Sequence, residues 1–410
     1  MTMFAKIFSK RGVAVSQDSH KIEDVLTRGV EEIFVRESLE KKLRSGKPLR
    51  IKLGIDPTGK NIHLGHAVIL WKLRAFQDLG HKVVLIVGDF TARIGDASDK
   101  LEKRPMLTSE KIAENLVDYK KQLGKIIDLS RAEVVFNSSW LSKLKFDEIC
   151  RLAETFSVQQ MINRRNFKDR IEAGTEISLR EFMYPLMQGY DSVMVKADVE
   201  LGGFDQLFNL KAGRIIQKHY GMPEQDILTG KMLLGTDGRK MSKSWGNVIN
   251  ITDTADEMFG KTMALRDDLM ADYFLLCTDM PVAEATKIVG RLEAGENPRD
   301  LKLELAEKIV ARYWGVEAGK KARSRFIEVF SEKKIPDDLQ TVKVTAGTLL
   351  VDVALENGVV KSKTEWRRLI DEGAVSDTET GTVVTDPTAT AENKIYKVGK
   401  RRFMKIEVIS

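Results

Sequence analysis

Apolar positions in the first half of the chain alternate between two spacings. Short apolar runs at Ile51, Leu53 and Ile55, at Lys82 to Val87 and at Val134 to Phe136 read as strands. Between them, Val68 to Leu79 and Ser109 to Ile127 carry the three-to-four-residue spacing of amphipathic helices. This alternation predicts an α/β fold around a Rossmann-like parallel sheet, with ligand at the C-terminal ends of the strands. A charged stretch, about 110–176, reads as an insertion. From Thr252 to about Ile335 the pattern becomes almost purely helical, and Ile335-Pro336-Asp337-Asp338 marks a linker. Beyond it, Leu349-Leu350-Val351 to Ile370 reads as a helix-turn-helix, followed by strands ending in Phe403-Met404-Lys405-Ile406. The expected division is a sheet domain over 1–250, an α-helical domain over 251–335 and a small α+β domain over 345–410.

Composition narrows the class. The 410 residues are 42% hydrophobic and 31% charged, as in a water-soluble globular chain with room for two or three domains. No apolar run approaches the roughly 18 residues of a membrane span. Met1 to Arg11 is short and basic but lacks the apolar core of a signal peptide. Cys150 and Cys277 stand far apart without metal-ligand spacing, which predicts reduced thiols in a cytoplasmic protein and no dedicated metal site. A net charge of +6 suits a polyanionic partner. The basic residues cluster at Lys361, Lys363, Arg367 and Arg368, and again at Lys397, Lys400, Arg401 and Arg402. On one small module these suit phosphate contacts to structured RNA. A third cluster, Arg164, Arg165, Lys168 and Arg170, is a weaker RNA-binding candidate; a solvated basic face is the plainer reading of any of them.

Chemistry concentrates in two motifs. His63-Leu64-Gly65-His66 follows the first strand and an Asp56-Pro57-Thr58 turn and opens the Val68–Leu79 helix. Unpaired backbone N–H groups at such a helix start favour a phosphate. Gly65 leaves room for a base or ribose against the backbone. Two imidazoles three residues apart suit a phosphate that gains charge during transfer. Downstream, Lys240-Met241-Ser242-Lys243-Ser244 follows the glycine-rich Gly235-Thr236-Asp237-Gly238 and offers two ammonium groups to a triphosphate. Taken singly, a histidine pair is more often structural and a lysine loop a solvated turn; together they describe attack at the α-phosphate of ATP.

The pair resembles the defining motifs of the class I aminoacyl-tRNA synthetases, and the chain is similar to the bacterial-type tyrosyl-tRNA synthetases from about Leu49 to its C-terminus. The matching segments include Gly54 to Thr58, Gly88 to Asp96, Tyr184 to Asp191 and Gly202 to Gln206. Tyr184, Gln188 and Asp191, spaced i, i+4 and i+7, share one helix face, and a buried Asp191 would accept from a phenol hydroxyl. The resemblance implies that Tyr184, Gln188 and Asp96 hold the tyrosine ammonium, with Thr91 in the same pocket and Gln206 near the carboxylate. It places Gly54, Asp56, Gly65, Gly203 and Asp205 around the nucleotide, and Thr58, His63, His66, Lys240 and Lys243 at the transferring phosphates. It further implies ATP with its Mg2+ as substrate, L-tyrosine and tRNA(Tyr) as partners, a homodimer, and a tail like the RNA-binding domain named after a ribosomal small-subunit protein.

Several positions depart from the pattern. Lys52 stands where many members place a tyrosine that contacts the phenol, although lysine there resembles another branch. Phe204 replaces Ser or Thr, Ala97-Ser98-Asp99 replaces Pro-Ser-Gly, and Trp245 replaces Leu. Other classes fit less well. A tryptophanyl synthetase shares the fold but not the Tyr184/Gln188/Asp191 set. A small nucleotidyltransferase needs no RNA module, and a non-catalytic RNA-binding descendant would usually have lost the lysine loop.

Overall fold

The computed structural model describes residues 14–96, 107–242, 245–331, 339, 341–399 and 402–409. The chain divides into two compact units, up to residue 314 and from residue 315.

The first unit is built on a six-stranded sheet. Its strands are β1 (Val30–Phe34), β2 (Arg50–Ile55), β3 (Lys82–Val87), β4 (Glu133–Phe136), β5 (Val199–Gly203) and β6 (Asp226–Gly230), in the spatial order β1-β6-β5-β2-β3-β4. All neighbours are parallel except β1, which runs antiparallel to β6. The expected parallel sheet is therefore mixed at one edge. Strands β2, β3 and β4 run to one side, and the chain then crosses back to place β5 on the other side of β2. That reversal opens a crevice beyond the C-terminal ends of β2 and β5.

Helix α1 (Leu64–Asp78) connects β2 to β3 and buries Leu64, Ala67, Leu70, Leu73 and Phe76 on one stripe. It ends where Gly80 takes φ +93, with Gly80 N–H on the Gln77 carbonyl and His81 N–H on that of Phe76. The stretch expected as an insertion is not wholly inserted: β4 lies inside 110–176 and pairs with β3. Ser109–Ile127 is also not one helix but two short ones, Ser109–Leu116 and Tyr119–Leu123. Helix α2 (Leu179–Met194) starts at a capping box, Ser178 N–H donating to Glu181. Pro185 lies within it. Gly189 lets α2 approach α3 (Leu207–His219), since a Cβ there would lie 2.6 Å from Ile216 and 3.1 Å from the Ala212 backbone.

The helices that follow residue 254 pack into this unit rather than forming a separate one from 251. Trp71 of α1 donates to the Tyr313 hydroxyl at 3.0 Å, and Arg28 caps the carbonyls of Leu275, Thr278 and Met280. The second unit opens with the helix Val316–Ser331, so the boundary falls before the expected linker, which lies outside the described residues.

In the second unit, β7 (Thr341–Thr345), β8 (Val375–Asp377), β9 (Ile395–Val398) and β10 (Arg402–Ile409) form a sheet in the order β7-β10-β9-β8. The two helices of the expected helix-turn-helix, α4 (Leu350–Glu356) and α5 (Lys363–Asp371), bury Leu350, Val353, Trp366 and Ile370 in its core. Among the described residues no helix is long and apolar enough to cross a membrane.

Candidate active site

The crevice is a cavity of about 590 Å3. Its walls bring together Gly54 at the end of β2, Asp56 and Thr58 after it, His63, Gly65 and His66 at the start of α1, and Thr91 and Asp96 after β3. Tyr184, Gln188 and Asp191 of α2, Gly203 at the end of β5, Asp205 and Gln206 after it, and Lys240 complete them. Strand ends and helix starts converge here because the sheet reverses here. Gly54 faces open space, with nothing within 4 Å of where a Cβ would stand. Gly88 is obligatory for the opposite reason: a Cβ there would lie 1.9 Å from an Asp56 oxygen.

One polar relay runs along the floor. Asp191 is 3% exposed; its Oδ1 accepts from Trp140 Nε1 at 2.7 Å and its Oδ2 from Asn137 Nδ2 at 3.2 Å. Asn137 Nδ2 also donates to Thr91 Oγ1 at 3.0 Å, while its Oδ1 accepts from Phe90 N–H, which fixes the amide's orientation. Thr91 donates to Asp56 Oδ1 at 2.7 Å, and Tyr184 donates to Asp56 Oδ2 at 2.9 Å. Thr91 thus has both hydroxyl roles filled within the protein. Burial pushes Asp56 up to about 7 against the hydrogen bonds from Thr91 and Tyr184, with Asp96 and Asp191 adding to the rise. Burial likewise pushes Asp191 up to about 6, opposed first by the Lys52 ammonium and then by Trp140 and Asn137. Asn137 and Trp140 were missed in the sequence, although their place just beyond β4, at the C-terminal edge of a parallel strand, is the signal that marks such positions.

A second relay holds the neighbouring wall. Gln206 Nε2 donates to Asp96 at 2.7 Å and its Oε1 accepts from Asn209 at 2.9 Å. Asn209 in turn accepts from Arg164 at 3.1 Å. Arg164 is therefore not an RNA contact: it is 6% exposed, its guanidinium lying over the rings of Phe167 and Phe208. Arg170 is also buried, paired with Glu181 at the start of α2. An alternation of in-facing and out-facing positions along one helix, Arg165–Glu172, disguised structural arginines as a basic stripe; of that cluster Lys168 is exposed.

At the start of α1, the His63 and His66 rings stack with centroids 3.8 Å apart. His63 is extended, at φ −102 and ψ 170, and opens α1. A Cβ on Gly65 would sit 3.1 Å from the His63 ring and 3.1 Å from Met241 Sδ, so this glycine brings the two motifs into contact. Lys240 Nζ lies 3.7 Å from Asp205 Oδ2. The loop bearing Lys240 is pinned by Asn247, which accepts from Ser242 N–H at 2.8 Å and donates to Asp237 at 2.8 Å and the Lys240 carbonyl at 3.1 Å. Asn247 was also missed. Lys243 lies outside the described residues. So do Lys400 and Arg401, and the Arg165 side chain is not described.

In the second unit Lys361, Lys363, Arg367 and Arg368 are exposed, Lys363 pairing with Asp352 and Arg368 with Glu372. Arg402 of β10 reaches Glu365 of α5 at 2.8 Å, which brings this member of the second basic cluster against the helix that carries Lys363, Arg367 and Arg368. Among the described residues no group of His, Cys, Asp and Glu is arranged to hold a metal ion.

The sequence model of the family described as tRNA synthetases class I (W and Y) matches residues 44–331. A tyrosine–tRNA ligase of Carboxydothermus hydrogenoformans is 45% identical over 397 residues, 93% of this chain and 97% of that protein. One from Thermotoga maritima is 44% identical over 93% of this chain and 96% of its own length. The fold matches the crystal structure of a C-terminally truncated mitochondrial tyrosyl-tRNA synthetase from Aspergillus nidulans, with TM-score 0.63 at 23% identity, over 76% of this chain and 94% of that one. From the reversal in the sheet, the paired motifs at its crevice and these matches, the chain belongs to the class I tRNA synthetases of the tryptophan and tyrosine family.

Proposed function

We infer that the crevice carries out tyrosine–tRNA ligation, first joining L-tyrosine to ATP as tyrosyl-adenylate with release of pyrophosphate, then transferring the tyrosyl group to the terminal adenosine of tRNA(Tyr). One observation carries the substrate: Asp191, buried at the cavity floor, already holds two N–H donors and retains lone pairs for a third. A phenol hydroxyl supplies that donor. The ammonium group then falls to Asp96, Gln188 and Tyr184.

The substrate carboxylate is ionised at neutral pH, so no side chain has to act as nucleophile or strong base. It attacks the α-phosphorus of ATP in line, and pyrophosphate leaves. Catalysis comes from positioning and from charge placed where negative charge grows. Thr58, His63, His66, Lys240 and Lys243 take that role, Mg2+ arriving with the nucleotide as substrate. Asp205 accepts from the ribose hydroxyls, and Lys240 is released from Asp205 toward the phosphates as it does so. The terminal ribose hydroxyl of tRNA then attacks the adenylate's carbonyl and AMP leaves.

The basic faces of the second unit, at Lys361, Lys363, Arg367, Arg368 and Arg402, serve as phosphate contacts for tRNA. A homodimer is supported by exposed apolar side chains on and after the edge strand β4: Val134, Phe136, Phe146, Val158, Ile162 and Leu179. Cys150 and Cys277 are both free thiols, which suits the cytoplasm. ATP–pyrophosphate exchange measured with each of the twenty amino acids tests the assignment. Tyrosine alone should support exchange; exchange with tryptophan and not tyrosine overturns the substrate.

A further inference from the structure

Lys52 of β2 is fully buried and does not reach the cavity, so it is no substitute for a side chain that touches the phenol. Its ammonium group meets Glu200, its partner across the β2–β5 pairing, at 2.8 Å. It also donates to the Gln188 carbonyl at 2.8 Å and to Ser192 Oγ at 2.7 Å. Glu200 accepts from the Gln188 side-chain amide at 3.1 Å, from the Ser192 hydroxyl at 3.0 Å and from Gln225. Helix α3 seals this cluster with Gly213, where a Cβ would lie 2.3 Å from Gln225 Nε2 and 2.9 Å from Ser192 Oγ.

A buried ion pair is a poor source of stability, since well-packed apolar residues of the same volume often do as well or better. Its connections point to another role. Gln188 is gripped twice, its backbone by Lys52 and its side chain by Glu200. Asp191 is the residue before Ser192. The titratable groups facing Asp191 are Lys52 of β2, Glu200 of β5, Asp56 beyond β2 and Tyr184 on its own helix. Lys52 is the cation among them.

We propose that Lys52 is a positioning residue for amino-acid recognition: paired with Glu200, it fixes Gln188 and supplies the positive charge that keeps Asp191 an acceptor for the substrate hydroxyl. This rests on Asp191 as the phenol reader. Removing the ammonium favours the neutral acid at Asp191, whereas removing the Glu200 charge favours the carboxylate. The two partners of one ion pair therefore act on substrate binding in opposite directions, which a purely structural pair does not do.

The test uses the full-length chain carrying Lys52→Met, Glu200→Gln, or both, with the pH profile of kcat/KM for tyrosine read by pyrophosphate exchange and folding checked by circular dichroism. Lys52→Met should move the acidic limb up by about one pH unit and raise the tyrosine KM roughly twofold at pH 7 and nearly tenfold at about pH 5, with kcat little changed. Glu200→Gln should move the limb down, and the double variant should fall between. Should Lys52→Met fail to fold with Glu200 left uncompensated, the neutral double variant and Glu200→Gln carry the sign test. Displacement of the limb in one direction by every variant, or in none, overturns the proposal. Failure of the unaltered protein to activate tyrosine would instead overturn the substrate assignment beneath it. Loss of tyrosine preference in Asp191→Asn, with the limb unmoved by Lys52 and Glu200 variants, would leave that assignment standing and remove only Lys52.

Discussion

Replacing Asp191 by Asn isolates the hydrogen bond on which substrate choice turns. The carboxylate faces two fixed donors, Trp140 at 2.7 Å and Asn137 at 3.2 Å, and keeps room for a third. An amide in its place has one acceptor oxygen and one NH2 group. Whichever way it turns, the NH2 meets one of the two fixed donors and a buried N–H loses its partner, costing about 1–3 kcal/mol of stability. For the substrate, the loss is a hydrogen bond to a charged acceptor, worth about 1.5–3 kcal/mol, or roughly 10- to 150-fold in kcat/KM. Phenylalanine brings no hydroxyl and should change by no more than about threefold. Pyrophosphate exchange with both amino acids should therefore show the tyrosine preference contracting by one to two orders of magnitude. The pH profile adds a second signature. Burial holds Asp191 at about 6, so the unaltered protein should lose tyrosine activation as pH falls through 6, while the Asn variant should lack that limb. A folded Asn variant with an unchanged tyrosine-to-phenylalanine ratio would refute Asp191 as the reader.

Asp56, pushed up from 3.8 to about 7, binds a proton in the folded state that the unfolded chain has released, so its ionised form opposes folding increasingly as pH rises from about 4 to 7. Asp56→Asn should accordingly gain melting temperature relative to the unaltered protein between pH 4 and pH 8 while losing activation; a Tm difference that does not vary with pH would refute this. Asn247→Ala removes the three hydrogen bonds that pin the Lys240 loop, so single-turnover adenylate formation should slow by roughly tenfold with tyrosine affinity unchanged. An unchanged rate would show that the loop does not need this pin. Lys361→Glu with Arg367→Glu should weaken tRNA binding and flatten its dependence on salt, leaving adenylate formation intact; an unchanged salt slope would take these residues out of the RNA contact.

How much of this was legible in the sequence depended on what each residue answers to. The strands β2 and β3 and helix α1 followed from apolar spacing, because burial on one face leaves a periodic trace. The crevice was legible because motif residues sit at strand ends, where local order and function coincide. The hydrogen-bond relays were not. Asn137 and Trp140 meet Thr91 and Asp191 across 46 to 54 residues of chain, and no spacing encodes such contacts; Asn209 and Asn247 bond near neighbours, but inside loops and helix starts where an asparagine reads as an ordinary cap or turn residue. Arg164 and Arg170 failed for a related reason: a basic residue reads as exposed unless its partner is known, and here the partners are Asn209, two phenylalanine rings and Glu181. The helices after 254 read as self-sufficient in their periodicity, yet they belong to the same compact unit as the sheet, where Tyr313 meets Trp71 of α1.

Three carboxylates share the amino-acid side of the crevice, and this has a thermodynamic consequence. Asp56, Asp96 and Asp191 line the cavity close enough for the charges of Asp96 and Asp191 to raise Asp56, while Lys240 faces Asp205. Each substrate brings the charge its end lacks: an ammonium for the carboxylates, a triphosphate for the imidazoles and lysines. Near pH 7 Asp56 is divided between its acid and carboxylate forms, because burial is offset by no cation within the relay. An ammonium group arriving beside Tyr184 supplies that cation and favours the carboxylate, so tyrosine binding should release a fraction of a proton, most near pH 7 and little at pH 9, where Asp56 is already ionised. Calorimetric titration with tyrosine in two buffers of different ionisation enthalpy measures that release directly. Binding heats that agree between buffers at pH 7 would mean that the ammonium group does not couple to Asp56, and would separate the relay from the recognition of the substrate's charged end.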